Sequence, residues 1–319
     1  MKIPDKIERR ATRVVLLLNQ ILDICFMLGI VFVLLIAAYS IWDSRIIYNN
    51  ASPEKYEIYR PTAGNTLSFD ELRSANDDVF AWLTIYGTNI DYPLVRGVDN
   101  REYLNKGPMK EYSLSGSIFE DYRHKKDLSS FNNLFYGHHM AEGMMFGDID
   151  RYEDQGFFDS HPYGSLFCDG QTKGLEVFAF LHGDAADENL FAPPAESESA
   201  KEAYFEVIKR HAVHFRDIGV TTKDRLLVLS TCATGERTDR NLIVAKITDE
   251  VHENPYPKNT GAKTEQKGLP FGGDGEFLQV RYSIWLLLIL LILLLLISNL
   301  IRKKRRQKTG DPGKENGHD

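Results

Sequence analysis

Residues 226–247 read LLVLSTCATGERTDRNLIVAKI. The first apolar run has the aliphatic and β-branched content of a strand and delivers Thr231 and Cys232 at its end. A polar loop follows, and a second apolar run opens at Arg240. If the two runs pair as an antiparallel hairpin, Cys232 at the end of one lies beside Arg240 at the start of the next. A thiol and a guanidinium then share one rim of a sheet, and a cation near the sulfur favours thiolate. A cysteine at a strand end is more often a small core residue than a nucleophile.

Working outward, the segments WLTIYGTNIDYPLV (a hairpin around Gly87-Thr88-Asn89), GSIFED, NNLFYGH and GLEVFAFLHG read as further strands, rich in Val, Ile, Phe and Tyr and bounded by turn residues. Many short strands without regularly alternating helices predict an all-β barrel or sandwich. A short helix is expected over 68–79, with Ser68 as its cap and Glu71 completing a capping box. In 197–215, SESAKEAYFEVIKRHAVHF, the apolar residues fall at helical spacing, with acids early and cations late. That predicts a helix inserted before the cysteine strand.

Two stretches are apolar on every face: 24–42 and 283–301. Each is long enough, at about 20 residues, to cross a bilayer as a helix. Lys2, Lys6, Arg9, Arg10 and Arg13 precede the first, and Arg302, Lys303, Lys304, Arg305 and Arg306 follow the second. Cations stay on the cytoplasmic side, so both termini are expected inside and the intervening domain outside. The expected organisation is a cytoplasmic N-terminus (1–13), a transmembrane helix (14–42), a polar stalk (43–67), an extracellular domain (68–250), a Pro/Gly linker (251–282), a second transmembrane helix (283–301) and a basic tail (302–319).

The formal charge is −7 although both ends are basic, so the outer domain is strongly acidic. That excludes nucleic acid as a partner, which needs a basic footprint. Of the three cysteines, Cys25 falls in the first span and Cys168 reads as a lone buried thiol. No CxxC or HExxH spacing suggests a metal, and no cofactor is expected. A catalytic cysteine needs a histidine near in space but not in sequence. Residue types alone do not choose among nine histidines.

The chain resembles the sortases, whose active-site strand carries a Thr-hydrophobic-any-Thr-Cys signature. Here it reads Val228-Leu229-Ser230-Thr231-Cys232, and the Ser before Thr-Cys is similar to class B members. Tyr136-Gly137-His138 resembles the histidine strand of that class. FAWLTIYGTNIDYPLVRGVDNREYL resembles its opening hairpin and GSIFEDYR its next strand, so the resemblance covers roughly 68–250. It implies a mainly β fold: a sortase-type eight-stranded β-barrel with an N-terminal helix and an inserted helix before the cysteine strand, flanked here by two transmembrane helices. It implies a cysteine transpeptidase with Cys232 as nucleophile, His138 as acid/base partner (His139 the alternative) and Arg240 as oxyanion stabiliser (Arg237 the alternative). Substrate contacts carried over are Asn100, Leu104, Tyr136 and Ser230. The remaining histidines, His124, His161, His182, His211 and His214, are read as surface or helix-face residues. Implied partners are secreted surface proteins or pilins bearing a C-terminal sorting signal, and an amine acceptor on a peptidoglycan precursor or a pilin lysine. The alternative is a catalytically silent sortase-fold scaffold of the cell envelope, against which the presence of all three residues speaks.

Overall fold

The structure, a computed structural model, describes residues 5–62, 66–232 and 238–256, and of residues 5–8 and Cys232 the backbone alone. It opens with the 47-residue helix α1 (Asp5–Ala51). Leu22, Phe26 and Phe32 on it are exposed. A helix this long and apolar meets the length and composition needed to cross a bilayer. The second apolar run, the basic tail and most of the expected linker lie outside the described residues.

A separate compact unit begins at Trp42. Part of the segment expected as a polar stalk belongs to it. The end of α1 and the 3-10 helix Pro53–Tyr59 bury Ala51, Pro53 and Tyr56. The Tyr92 hydroxyl donates to the Ala51 carbonyl at 2.7 Å, and Lys55 reaches Glu111 at 3.0 Å. At the other end, residues 251–256 fold back: His252 stacks on Tyr163 at 3.8 Å and Tyr256 on His161 at 4.5 Å.

Helix α2 (Leu67–Ala75) is shorter than expected and is capped at Thr66 with no side-chain cap bond. Ser68 lies inside its first turn, so no capping box forms. Burial of Phe69 and Leu72 holds the helix instead. The strands follow: β1 (Val79–Ile85), β2 (Asp91–Val95), β3 (Ile118–Glu120) and β4 (Asn132–His138); then α3 (Gln155–Ser160), β5 (Tyr163–Cys168), β6 (Gln171–Asp184), α4 (Glu198–His211), β7 (Ala212–Phe215), β8 (Arg225–Cys232) and β9 (Asp239–Thr248). Around the ring the order is β1-β2-β3-β4-β8-β9-β6-β5, and β5 pairs with β1 to close it. The domain is an eight-stranded barrel, with β7 added to β6 outside the ring. Closure removes free sheet edges. The β2–β3 and β4–β8 pairings are parallel, the others antiparallel.

Strand β8 is apolar at consecutive positions because both its faces are covered. Leu227 and Leu229 join one core cluster with Phe135, Ile243 and Ala245. Leu226 and Val228 join a second with Leu134, Phe178, Leu242, Tyr204 and Ile208, the last two from α4. Helix α4 starts as predicted, the Ser197 hydroxyl accepting from the Ala200 amide at 3.2 Å. It stops at His211, short of the predicted Phe215. Ala212–Phe215 pair instead with Ala179–Leu181 of β6. Ala212 and Phe215 satisfy a helical period, but the unpaired edge of β6 offers backbone bonds that a β-branched and aromatic segment takes.

Several buried polar groups depart from a surface reading. His124 is 3% exposed, and burial lowers its pKa. Glu120 on β3 is fully buried, and neither carboxyl oxygen has a hydrogen-bond partner among the described residues. Burial pushes its pKa up to about 8, against the opposing pull of Arg96.

Two outcomes follow for the full-length chain in detergent. Tyr92 also accepts from the Met145 amide at 3.1 Å, so Tyr92→Phe strands two buried partners. It should cost about 1–3 kcal/mol, read as a fall of about 2–10 °C in the thermal unfolding midpoint. A carboxyl whose folded pKa is raised binds more protons folded than unfolded. Its contribution is complete below the ordinary value of 4.5 and is lost as pH rises through about 8. Glu120→Gln should therefore gain stability relative to wild type as pH goes from 5 to 8.5, measured by denaturant midpoints across that range.

Candidate active site

The parallel ladder between β4 and β8 runs unshifted from Asn132 opposite Leu226 to His138 opposite Cys232. Adjacent strands lie about 4.8 Å apart, so the backbones of these two residues are immediate neighbours at the barrel rim. On the other side of β8, the antiparallel ladder pairs Val228 with Val244 and Ser230 with Leu242. Carried on by two residues, that register brings Arg240 opposite Cys232. The Asn241 amide donates to the Thr231 hydroxyl at 3.1 Å and holds the strands together there. The row His138, Cys232, Arg240 thus continues the row Tyr136, Ser230, Leu242 beneath it.

The half-buried His138 is held by its Nε2, 2.8 Å from the Leu104 carbonyl. A carbonyl only accepts, so Nε2 carries the proton in this bond and Nδ1 is left for exchange. Behind it, Gly137 makes room for Phe146: a Cβ there would come within 2.7 Å of that ring. The Phe146 amide donates to the His138 carbonyl at 3.0 Å and closes the loop that follows β4. His139 turns elsewhere, its Nε2 meeting Asp150 at 2.5 Å. Asp150 also accepts from Asn241 Nδ2 at 2.7 Å, so one carboxylate ties the residue after His138 to the residue after Arg240.

A groove of about 630 Å³ opens beside this row. Asn100, Leu104, Phe119, Arg123 and Tyr136 line it, Glu188, Phe191 and Pro193 come from the loop after β6, and Arg240 is also part of the lining. Asn132 anchors that loop, accepting from the Ala195 amide at 2.8 Å. Arg240 is half-buried, and its Nε and Nη1 have no hydrogen-bond partner among the described residues. Two desolvated guanidinium donors at a groove are costly unless something accepts from them. Four residues named from sequence, Asn100, Leu104, Tyr136 and Arg240, meet in one cavity.

Ser230 does not join them. It is fully buried, donates to the Thr231 carbonyl at 3.2 Å and is absent from the lining. Arg237, the alternative cation, lies outside the described residues. Cys168 is half-buried on β5 and packs on the main core. Burial, with Asp169 and Glu120 adding to it, pushes that thiol up to about 12, which leaves negligible thiolate at neutral pH. Sequence reasoning missed Asp121 and Arg123. Their signal was the acid–any–base pattern Asp121-Tyr122-Arg123 just beyond an apolar strand.

No protein-family model matches the chain. It is 32% identical over 181 residues to sortase B of Staphylococcus aureus, covering 56% of this chain and 74% of that protein. To sortase B of Listeria monocytogenes it is 33% identical over 174 residues, covering 54% and 70%. Among solved structures, a Streptococcus pyogenes class B sortase involved in pilus biogenesis superposes with a TM-score of 0.52 at 39% identity, over 57% of this chain and 98% of that one. Sortase B from the type II pilus of Streptococcus pneumoniae gives 0.50 at 42%, over 57% and 99%. The Staphylococcus aureus sortase B–substrate complex gives 0.54 at 31%, over 57% and 85%. With a cysteine and a histidine on adjacent strands of an eight-stranded barrel, and these relatives matched over most of their length, the chain belongs to the class B sortases, a family of cysteine transpeptidases.

Proposed function

We propose that this chain cleaves a C-terminal sorting signal of secreted proteins through a thioester on Cys232 and passes the acyl group to a cell-surface amine. The observation that carries the reading is the row across three strands: His138 beside Cys232 in the β4–β8 ladder, and Arg240 on β9 with two buried donors that find no partner among the described residues. The thiolate of Cys232 attacks the scissile carbonyl, and the bond's electron pair moves onto oxygen. Arg240 donates to that oxyanion, the role for which its buried nitrogens are suited. His138, as imidazolium, gives a proton to the departing amine as the tetrahedral adduct collapses, leaving the thioester and a neutral imidazole. An incoming amine attacks the thioester and loses its proton to His138, and the Cys232 thiolate departs.

The peptide N-terminal to the cleaved bond occupies the groove lined by Asn100, Leu104 and Tyr136. Ser230, buried under the row, shapes the site without touching the peptide. For the acceptor, the Streptococcus pyogenes and Streptococcus pneumoniae relatives, at 39% and 42% identity, are pilus sortases, which favours a pilin lysine over a peptidoglycan cross-bridge. The domain faces outward and both termini face the cytoplasm, in a two-pass arrangement supported by the cations that flank the two apolar runs.

The test uses the full-length chain in detergent with fluorogenic peptides of the Asn-Pro-x-Thr-Asn and Leu-Pro-x-Thr-Gly types, with and without added amines. Amine-dependent ligation should appear with wild type and vanish in Cys232→Ala. Arg240→Ala should lower kcat by about 10²–10³-fold with a smaller change in KM. Ligation that persists undiminished in Cys232→Ala would remove Cys232 as the nucleophile, and no turnover in either protein with every peptide would return the chain to the scaffold reading.

A further inference from the structure

Asp121 opens the turn after β3, beneath the groove, and is fully buried. A carboxylate with no exposure is tolerated only where donors surround it. The Arg123 guanidinium supplies Nε at 2.9 Å and Nη2 at 2.7 Å, and the Arg123 amide adds a bond at 3.0 Å. Asn100 Nδ2 donates at 3.0 Å and the Tyr136 hydroxyl at 3.1 Å. Burial by itself would push this carboxyl up; the bonds from Arg123 and Asn100 outweigh it and hold it below the ordinary carboxylate range.

All three side chains that Asp121 gathers line the groove. Their orientations follow from it. Asn100 is fixed at both ends, its Oδ1 accepting from the Tyr122 amide at 3.0 Å, which leaves its second N–H for a ligand. The Tyr136 ring is held between Phe119 at 5.4 Å and Phe191 at 6.2 Å. Arg123 Nη2 reaches on to the Phe191 carbonyl at 2.9 Å, on the loop that forms the opposite wall. One buried carboxylate therefore touches the floor, one wall and, through Arg123, the other wall.

We propose that Asp121 is a positioning residue for the acyl-donor peptide, setting the presentation of Asn100 and Tyr136 and the spacing of the groove walls through Arg123. The inference rests on the reading of this groove as the peptide site. Its chemistry does not involve the thiol, so it separates peptide recognition from the reactivity of Cys232.

The experiment uses the full-length chain in detergent and the near-isosteric Asp121→Asn, which removes the charge and half the acceptor capacity. Binding of fluorescein-labelled peptides of the two types above is read by anisotropy on a Cys232→Ala background. In the otherwise wild-type chain, the pH profile of Cys232 alkylation by iodoacetamide is read by peptide mass, and the thermal midpoint is recorded beside it. We expect peptide affinity to fall about 10-fold or more, while the alkylation profile and the midpoint hold. Where turnover is measurable, KM should rise more than kcat falls. Unchanged affinity overturns the inference. A joint collapse of affinity, alkylation and midpoint overturns it as well, since Asp121 would then serve the fold alone. Peptide binding to neither protein overturns it together with the assignment of the groove. Binding intact in Cys232→Ala without turnover in the parent chain sinks the transpeptidase reading and leaves Asp121 to be judged by the anisotropy.

Discussion

The site depends on the parallel pairing of β4 with β8. A side-chain period of two means that a slip of one residue would send every side chain of a strand to the opposite face. Three things lock the register at its start: the Leu226 amide donates to the Phe131 carbonyl, Asn133 Nδ2 donates to the carbonyls of Ser130 and Leu226, and the alternating residues of β8 fill two separate cores. The ladder ends at its seventh pair, His138 and Cys232. Two residues nearly a hundred apart in the chain become neighbours because an apolar ladder beneath them permits one alignment.

A parallel pair cannot be joined by a tight turn, and the connection from β4 to β8 is where the chain places most of what surrounds the site. It carries the loop braced by Asp150, the strand β5 that closes the barrel, β6, and the loop that supplies Phe191 to the groove. Helix α4 then covers the outer face of β8 with Tyr204 and Ile208. The inserted helix is thus a lid on the second core, which keeps the cysteine strand dry on the side away from the barrel interior.

Glu120 and Asp121 show how neighbouring carboxyls acquire opposite characters. Both are buried. Glu120 finds no donor among the described residues and its proton is held more tightly, whereas Asp121 is surrounded by Arg123, Asn100 and Tyr136 and stays ionised. Hydrogen bonding, and not burial, decides between them. The ionised one organises the groove; the neutral one sits behind it.

The strands of the barrel that combine length with β-branched and aromatic content were legible in the sequence, as were the long apolar helix and the antiparallel pairing of the cysteine strand with the strand that follows it, because all of these are written in local pattern. Strand β5 was not: Tyr163–Cys168 is short and half-polar, and what makes it a strand is that β1 and β6 both lack a partner there. The same holds for β7, where a helical period gave way to the open edge of β6. Ser68, Ser230 and His124 were misplaced because capping, lining and burial depend on neighbours remote in the chain. His138 was chosen among the histidines by family resemblance, and its position beside Cys232 follows from the strand register, a long-range property that no local pattern encodes. What the sequence by itself determined was a mainly β domain, from strand-like periodicity, and, through motifs that resemble those of the sortases, the kind of chemistry the chain carries. What tertiary structure alone decided was the company each group keeps, above all the gathering of Asn100, Arg123 and Tyr136 around Asp121, since that needs loops and strands far apart in the chain to converge on one buried charge.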